Sequence, residues 1–165
     1  MSVDLIIEDA RWEPLNLLQI ANTAFKETLS QLNIRSENFI CSVLACSNEK
    51  IKDLNAQFRG KNISTNVLSF PSTSKIYEIV SGPKFETNVD PFELGDIAIA
   101  YEVCKKEADI SKIDFEDHVY HLLIHSVLHL LGYDHEEEKN AAEMEKIEVQ
   151  VLAKLGIINP YLHKL

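Results

Sequence analysis

Cysteine is scarce in this chain, with three in 165 residues: Cys41, Cys46 and Cys104. An odd, sparse set argues against a disulfide framework and fits a reducing compartment. Cys41 and Cys46 lie five apart in an apolar stretch, so on a strand they point to opposite faces. They read as packed thiols rather than as a metal pair or a disulfide. Long hydrophobic runs are also missing, and no stretch approaches the ~20 apolar residues that cross a bilayer. The opening MSVDLIIEDA has no basic leader, and acids interrupt its short apolar run, unlike a secretory signal. These absences predict a cytoplasmic protein with no membrane partner. Positive charge is short as well: 16 Lys and Arg stand against 26 Asp and Glu, a formal charge of -10. That balance excludes broad, nonspecific binding to nucleic acid, which depends on neutralising phosphates. It leaves room for a local basic site.

What is present is an ordinary globular composition, 45% hydrophobic and 25% charged, with no repeat and no domain boundary. A single domain over residues 1–165 is the simplest organisation. Val3 to Ile7 and Phe39 to Cys46 read as strands. Between them an apolar helical pattern opens at Pro14 and runs to Leu32. Ser47 suits an N-cap for a helix from Asn48 to about Phe58, stopped by Gly60. Asn66 to Phe70 and Leu94 to Ala100 are further strands, and residues 72–93 between them read as a long surface loop. Helices follow near Tyr101 to Ala108, from the cap Asp114 to Gly132, and from about Glu136 to Leu155. Strands first and helices later give an α+β class.

The helix from Asp114 holds the clearest signal. At 100° per residue His118, His121, His125 and His129 fall within an arc of roughly 80°, and apolar residues cover most of the rest. A helix apolar nearly all round is normally buried; this one has a single polar stripe, and the stripe is histidine. His125 and His129 are i and i+4, close enough to chelate one ion. Gly132 can end the helix in the left-handed conformation and let the chain bring His135 back to the same point. Buried histidines can also be core residues bonded to backbone, but a third histidine after a helix-stopping glycine favours a metal. Three neutral imidazoles with an open position make a catalytic type of zinc site, although nickel or copper would also bind. Asp134 could orient an imidazole, and His121 is a second contact to ligand or substrate. His118 reads as solvent-facing or structural.

The spacing H-x3-H-x5-H is that of a zinc-protease motif, yet Ser126 stands where the protease has its glutamate. That glutamate protonates the leaving amine, so its absence lowers a peptidase reading. Phosphodiester cleavage needs a Lewis acid and a cation near the phosphate, with water or an RNA 2′-hydroxyl as nucleophile. Arg59 and Lys61, at a helix-to-strand connection, are a local positive excess. Arg59 suits bidentate phosphate contact, or equally a helix C-terminus meeting its dipole. Asn66, Ser69 and Asp96 are polar residues in apolar strands, suited either to a cleft or to structural bonds.

Four blocks carry a family resemblance: FRGKNISTNVLSFP (Phe58 to Pro71), ELGDIAIA (Glu93 to Ala100), HLLIHSVLHLLGYDH (His121 to His135) and AEMEKIEVQVLAKLG (Ala142 to Gly156). In these the chain resembles the YbeY family of bacterial endoribonucleases and rRNA maturation factors, over most of its length after about residue 50. The resemblance implies a small mixed sheet of about four strands with the histidine helix at its centre. It implies one Zn2+ on His125, His129 and His135, a catalytic or RNA-contacting Arg59, and metal-dependent cleavage of single-stranded RNA. It further implies a part in maturing the small-subunit rRNA 3′ end and in ribosome quality control, with ribosomal components as partners. A non-catalytic assembly factor with a structural metal is the alternative beside the peptidase. The chain departs from the family at Ser126, usually glycine, at Asn62, usually aspartate, and at Ser64, usually proline; none of these is a proposed ligand.

Overall fold

A computed structural model describes residues 2–82, 85 and 91–162. Strand β1 (Ser2–Ile7) leads through a 3-10 turn at Ala10–Trp12 into helix α1 (Leu17–Gln31) and strand β2 (Phe39–Cys46). The helix begins later than the expected Pro14. The indole of the fully buried Trp12 donates to the Cys46 carbonyl at 3.0 Å, which pins the 3-10 turn to the sheet, and the helix starts only after Asn16. Helix α2 (Asn48–Arg59) is capped by the Ser47 side chain, which accepts from the Lys50 N–H, and ends at Gly60, as expected.

Strand β3 (Val67–Pro71) is followed by a short helix, α3 (Ile76–Val80), inside the segment expected to be a loop. Ile76 and Val80, four residues apart, are both buried. One turn and a half is too short to leave a periodic signature. Of the rest of that expected loop, residues 83, 84 and 86–90 lie outside the described residues. Strand β4 (Phe92–Ala100) runs directly into α4 (Tyr101–Ser111), then α5 (Phe115–Leu131) and α6 (Glu138–Lys154).

The four strands form one mixed sheet in the order β1-β2-β4-β3. β1 and β4 pair with β2 in parallel, and β3 pairs with β4 antiparallel. Ile40 faces Glu93 while Cys41 faces Gly95, so Leu94 is an extra residue and β4 bulges there. Gly95 sits in the bulge at φ +143, where a Cβ would meet the Phe70 carbonyl oxygen at 2.2 Å. Only glycine fits that approach.

One face of the sheet, with Cys41, Val43, Ile97 and Ile99, packs on α1 and α5, which α6 covers in turn, in the main core. The other face carries a smaller cluster, in which Cys46, Leu68, Ala98 and Ala100 meet Ile51 of α2. Cys41 and Cys46 therefore do face opposite sides, and all three cysteines are free and buried. Burial, reinforced by the charge of Asp96 at Cys41 and of Glu8 at Cys46, pushes both thiols up to about 12, consistent with unreactive packing groups. The α+β architecture thus sets α5 inside the helical layer: Val119, Leu123, Ile124, Val127 and Leu128 are fully buried.

Candidate metal centre

Helix α5 starts where the Asp114 carboxylate accepts the N–H groups of Glu116 and Asp117. It ends at Gly132, φ +104. The Tyr133 N–H closes back on the Leu128 carbonyl at 3.0 Å, a glycine-terminated cap that reverses the chain. The reversal returns His135 to the last turn of the helix. Its ring centroid lies 5.7 Å from that of His125 and 5.1 Å from that of His129. One ring nitrogen from each of the three lies within 4.8 Å of the others, so the group could hold a metal ion.

The hydrogen bonds fix the tautomers of two of these rings. His129 Nδ1 is 2.9 Å from the Tyr133 carbonyl, which can only accept, so Nδ1 carries the proton. His125 Nδ1 is 2.5 Å from Oε1 of Glu148, a carboxylate and again an acceptor. In a neutral ring that leaves Nε2 as the acceptor atom, and the two Nε2 atoms face each other at 2.9 Å. Three imidazoles fit Zn2+ as a donor set. Burial, reinforced by neighbouring His125, lowers the pKa of His129 to about 4, which keeps it neutral at physiological pH.

Glu148 was not found from the sequence. It is fully buried on α6 and touches His125 through one oxygen. Its other oxygen, Oε2, accepts from His121 Nε2 at 3.1 Å and from the Tyr161 hydroxyl. Burial pushes its carboxyl up, but the bonds from His121 and His125 outweigh this and hold it at about 2. The available signal was an acid on the apolar stripe of α6, one turn from both Met144 and Leu152, where a solvated glutamate has no place.

The three histidines open onto a cavity of about 630 Å³. Its far wall is the α2–β3 connection, with Arg59, Lys61, Asn66 and Ser69. The Arg59 guanidinium donates from Nη2 to the Ser69 carbonyl at 3.2 Å, which holds it at the cavity. Asp134 and Glu136 are also on the lining. Asp134 spends its hydrogen bonds on the Glu136 N–H and the Asn140 amide at the start of α6, rather than on an imidazole. Asp96 lies outside the cavity, on the α2 side of the sheet. His121 reaches the site through Glu148. His118 is buried, its Nε2 3.6 Å from Glu107; of its two expected places, the solvent-facing one does not hold. His163 lies outside the described residues.

Residues 6–156 match the family model described as Endoribonuclease YbeY. The chain is 45% identical over 165 residues to the protein named Endoribonuclease YbeY in Ruegeria sp. (strain TM1040), covering 98% of this chain and 97% of that one. It is 37% identical over 162 residues to the protein of that name in Bartonella quintana, covering 98% and 97%. Among solved structures, the solution structure of TM1509 from Thermotoga maritima superposes with a TM-score of 0.60 at 25% identity, over 93% of this chain and 88% of that one. With a family model spanning nearly the whole chain and relatives this similar end to end, the chain belongs to the YbeY family.

Proposed function

We propose that this protein is a zinc-dependent endoribonuclease specific for single-stranded RNA, with one ion on His125, His129 and His135. We further propose that it acts in the cytoplasm with ribosomal components as partners, in maturation of the small-subunit rRNA 3′ end and in ribosome quality control. The observation that carries the reading is that three converging imidazoles share one cavity with the guanidinium of Arg59 and the ammonium of Lys61. The name borne by the relatives supports the RNA substrate.

Bound there, Zn2+ supplies Lewis acidity to a phosphoryl oxygen. The remaining work falls to side chains. Arg59 offers a two-pronged donor to the non-bridging oxygens of the scissile phosphate, where charge grows in the transition state. Its bond to the Ser69 carbonyl sets the direction of the fork before substrate arrives. Lys61 adds a point charge on the same wall. Asp134 and Glu136 are the cavity's candidate acceptors for the proton of the nucleophile, whether that is water or the RNA 2′-hydroxyl. In the zinc-protease motif with this spacing the carboxylate directly follows the first histidine; here that position is Ser126, fully buried and away from the cavity.

The test is substrate class. Zinc-loaded protein is given an end-labelled single-stranded RNA and, separately, casein. RNA fragments with intact casein are expected. Casein hydrolysis with intact RNA would replace this reading with the peptidase, and neither product would favour a non-catalytic assembly factor.

A further inference from the structure

We infer that Glu148 is a positioning residue of the metal centre: its buried carboxylate selects the His125 tautomer that leaves Nε2 free for an ion. The C-terminal segment holds that carboxylate in place through Tyr161. The inference rests on the reading of the three histidines as a metal site.

Glu148 lies among Met144, Ile147, Val151 and Leu152 on the buried face of α6. Packing there asks for an apolar residue, and a charge taken out of water without partners is costly. Among the described residues no lysine or arginine pairs with it. Its partners are two imidazoles and one phenol: His125 on Oε1 at 2.5 Å, and His121 and Tyr161 on Oε2. An ionised carboxylate accepts and never donates, so the proton of His125 must sit on Nδ1. In the neutral ring that leaves Nε2 as the free atom, and the bond aims it at Nε2 of His129, 2.9 Å away. At His129 the same task falls to the backbone carbonyl of Tyr133. The two helical ligands are thus set by different groups, and only that of His125 is a side chain.

Two neighbours fix the carboxylate. The His121 ring stands edge-on to the Tyr161 ring at 5.5 Å and 87°, and both reach Oε2. The Tyr161 N–H donates to the Asn159 side chain at 2.8 Å, which shapes the turn that presents the phenol. Partners of this kind orient a ligand and raise its basicity, and losing one typically weakens metal binding ~10–100-fold.

The experiment measures Zn2+ affinity by competition with a chromophoric chelator, alongside the thermal midpoint of the metal-free form, for wild type, His125→Ala, Glu148→Gln and Glu148→Ala. Wild type should bind and His125→Ala should not; equal binding by both would refute the metal site itself. Glu148→Gln keeps the shape and removes the charge. It should bind ~10–100-fold more weakly, and its midpoint should fall, because His125, His121 and Tyr161 lose the charge they bond to. Wild-type affinity in Glu148→Gln would overturn the role of Glu148, even with a lowered midpoint. Should the variants fail to fold, long-range proton–nitrogen NMR on metal-free wild type still decides. His125 should be the Nδ1–H tautomer with a strongly deshielded proton; an Nε2–H tautomer would overturn the inference.

Discussion

The Arg59 guanidinium is exposed and makes one described side-chain hydrogen bond, to the Ser69 carbonyl at 3.2 Å. Its removal should therefore leave the fold and the metal alone while stripping a phosphate donor from the cavity. Arg59→Ala is expected to keep wild-type zinc content and a stability within about 0.5 kcal/mol. Its RNA cleavage should fall by about 10²–10³-fold, the scale of losing one preorganised donor. Arg59→Lys restores charge without the fork and should recover only part of the rate; full recovery would mean that charge alone matters. Ser126 is the opposite case. It is fully buried, and its hydroxyl has no hydrogen-bond partner among the described residues. Ser126→Ala removes an unsatisfied polar atom and improves helix propensity, so unfolding of the metal-free protein should show about 1 kcal/mol more stability. A loss of stability would mean that the hydroxyl is bonded after all. The sequence displayed the three histidines because the i, i+4 spacing of His125 and His129 is a helical signal and Gly132 marks the turn before His135. It hid Glu148 because that residue sits 13 positions beyond His135, on another helix, and meets its partners only through tertiary packing.

Elements whose ends are written in local chemistry were legible. The caps at Ser47 and Asp114 and the glycine stop at 132 need no distant partner, and β2 follows from its β-branched and aromatic run. Elements set by distant contacts were not. Trp12 delays α1 by bonding across to β2, and α3 exists because Ile76 and Val80 find cover in the core. The bulge in β4 belongs to this second kind. Gly95 stands at φ +143 against the Phe70 carbonyl of β3, so a methyl group there must push the edge strand that carries Ser69 and approaches Arg59. Gly95→Ala should lose about 3 kcal/mol in denaturant unfolding, strain and overpacking together. Wild-type stability would show that β3 can shift freely at that point.

Over the whole molecule, charge and protonation bear on the same site. The body is formally -10, and the cavity sets Arg59 and Lys61 against Asp134 and Glu136, so a bound dication is what would make it attractive to phosphate. Protons compete with that ion. His129, at about 4 when folded against 6.5 ordinarily, is protonated first in the unfolded chain. The stability it contributes is whole above pH 6.5 and drains away as pH falls toward 4. Glu148, at about 2 against 4.5, adds a second loss between pH 4.5 and 2, with the same sign. Urea unfolding of the metal-free protein should show a fall of about 2 kcal/mol between pH 7 and 4, the His129 share discounted for its partial exposure. A flat profile would contradict it. The central claim, that the three histidines hold the ion on which RNA cleavage depends, is tested most directly by zinc content and RNA cleavage measured together on wild type and His125→Ala. The account predicts one ion per chain and cleavage in the wild type, and neither in the folded variant. Cleavage at the wild-type rate by metal-free His125→Ala would contradict it.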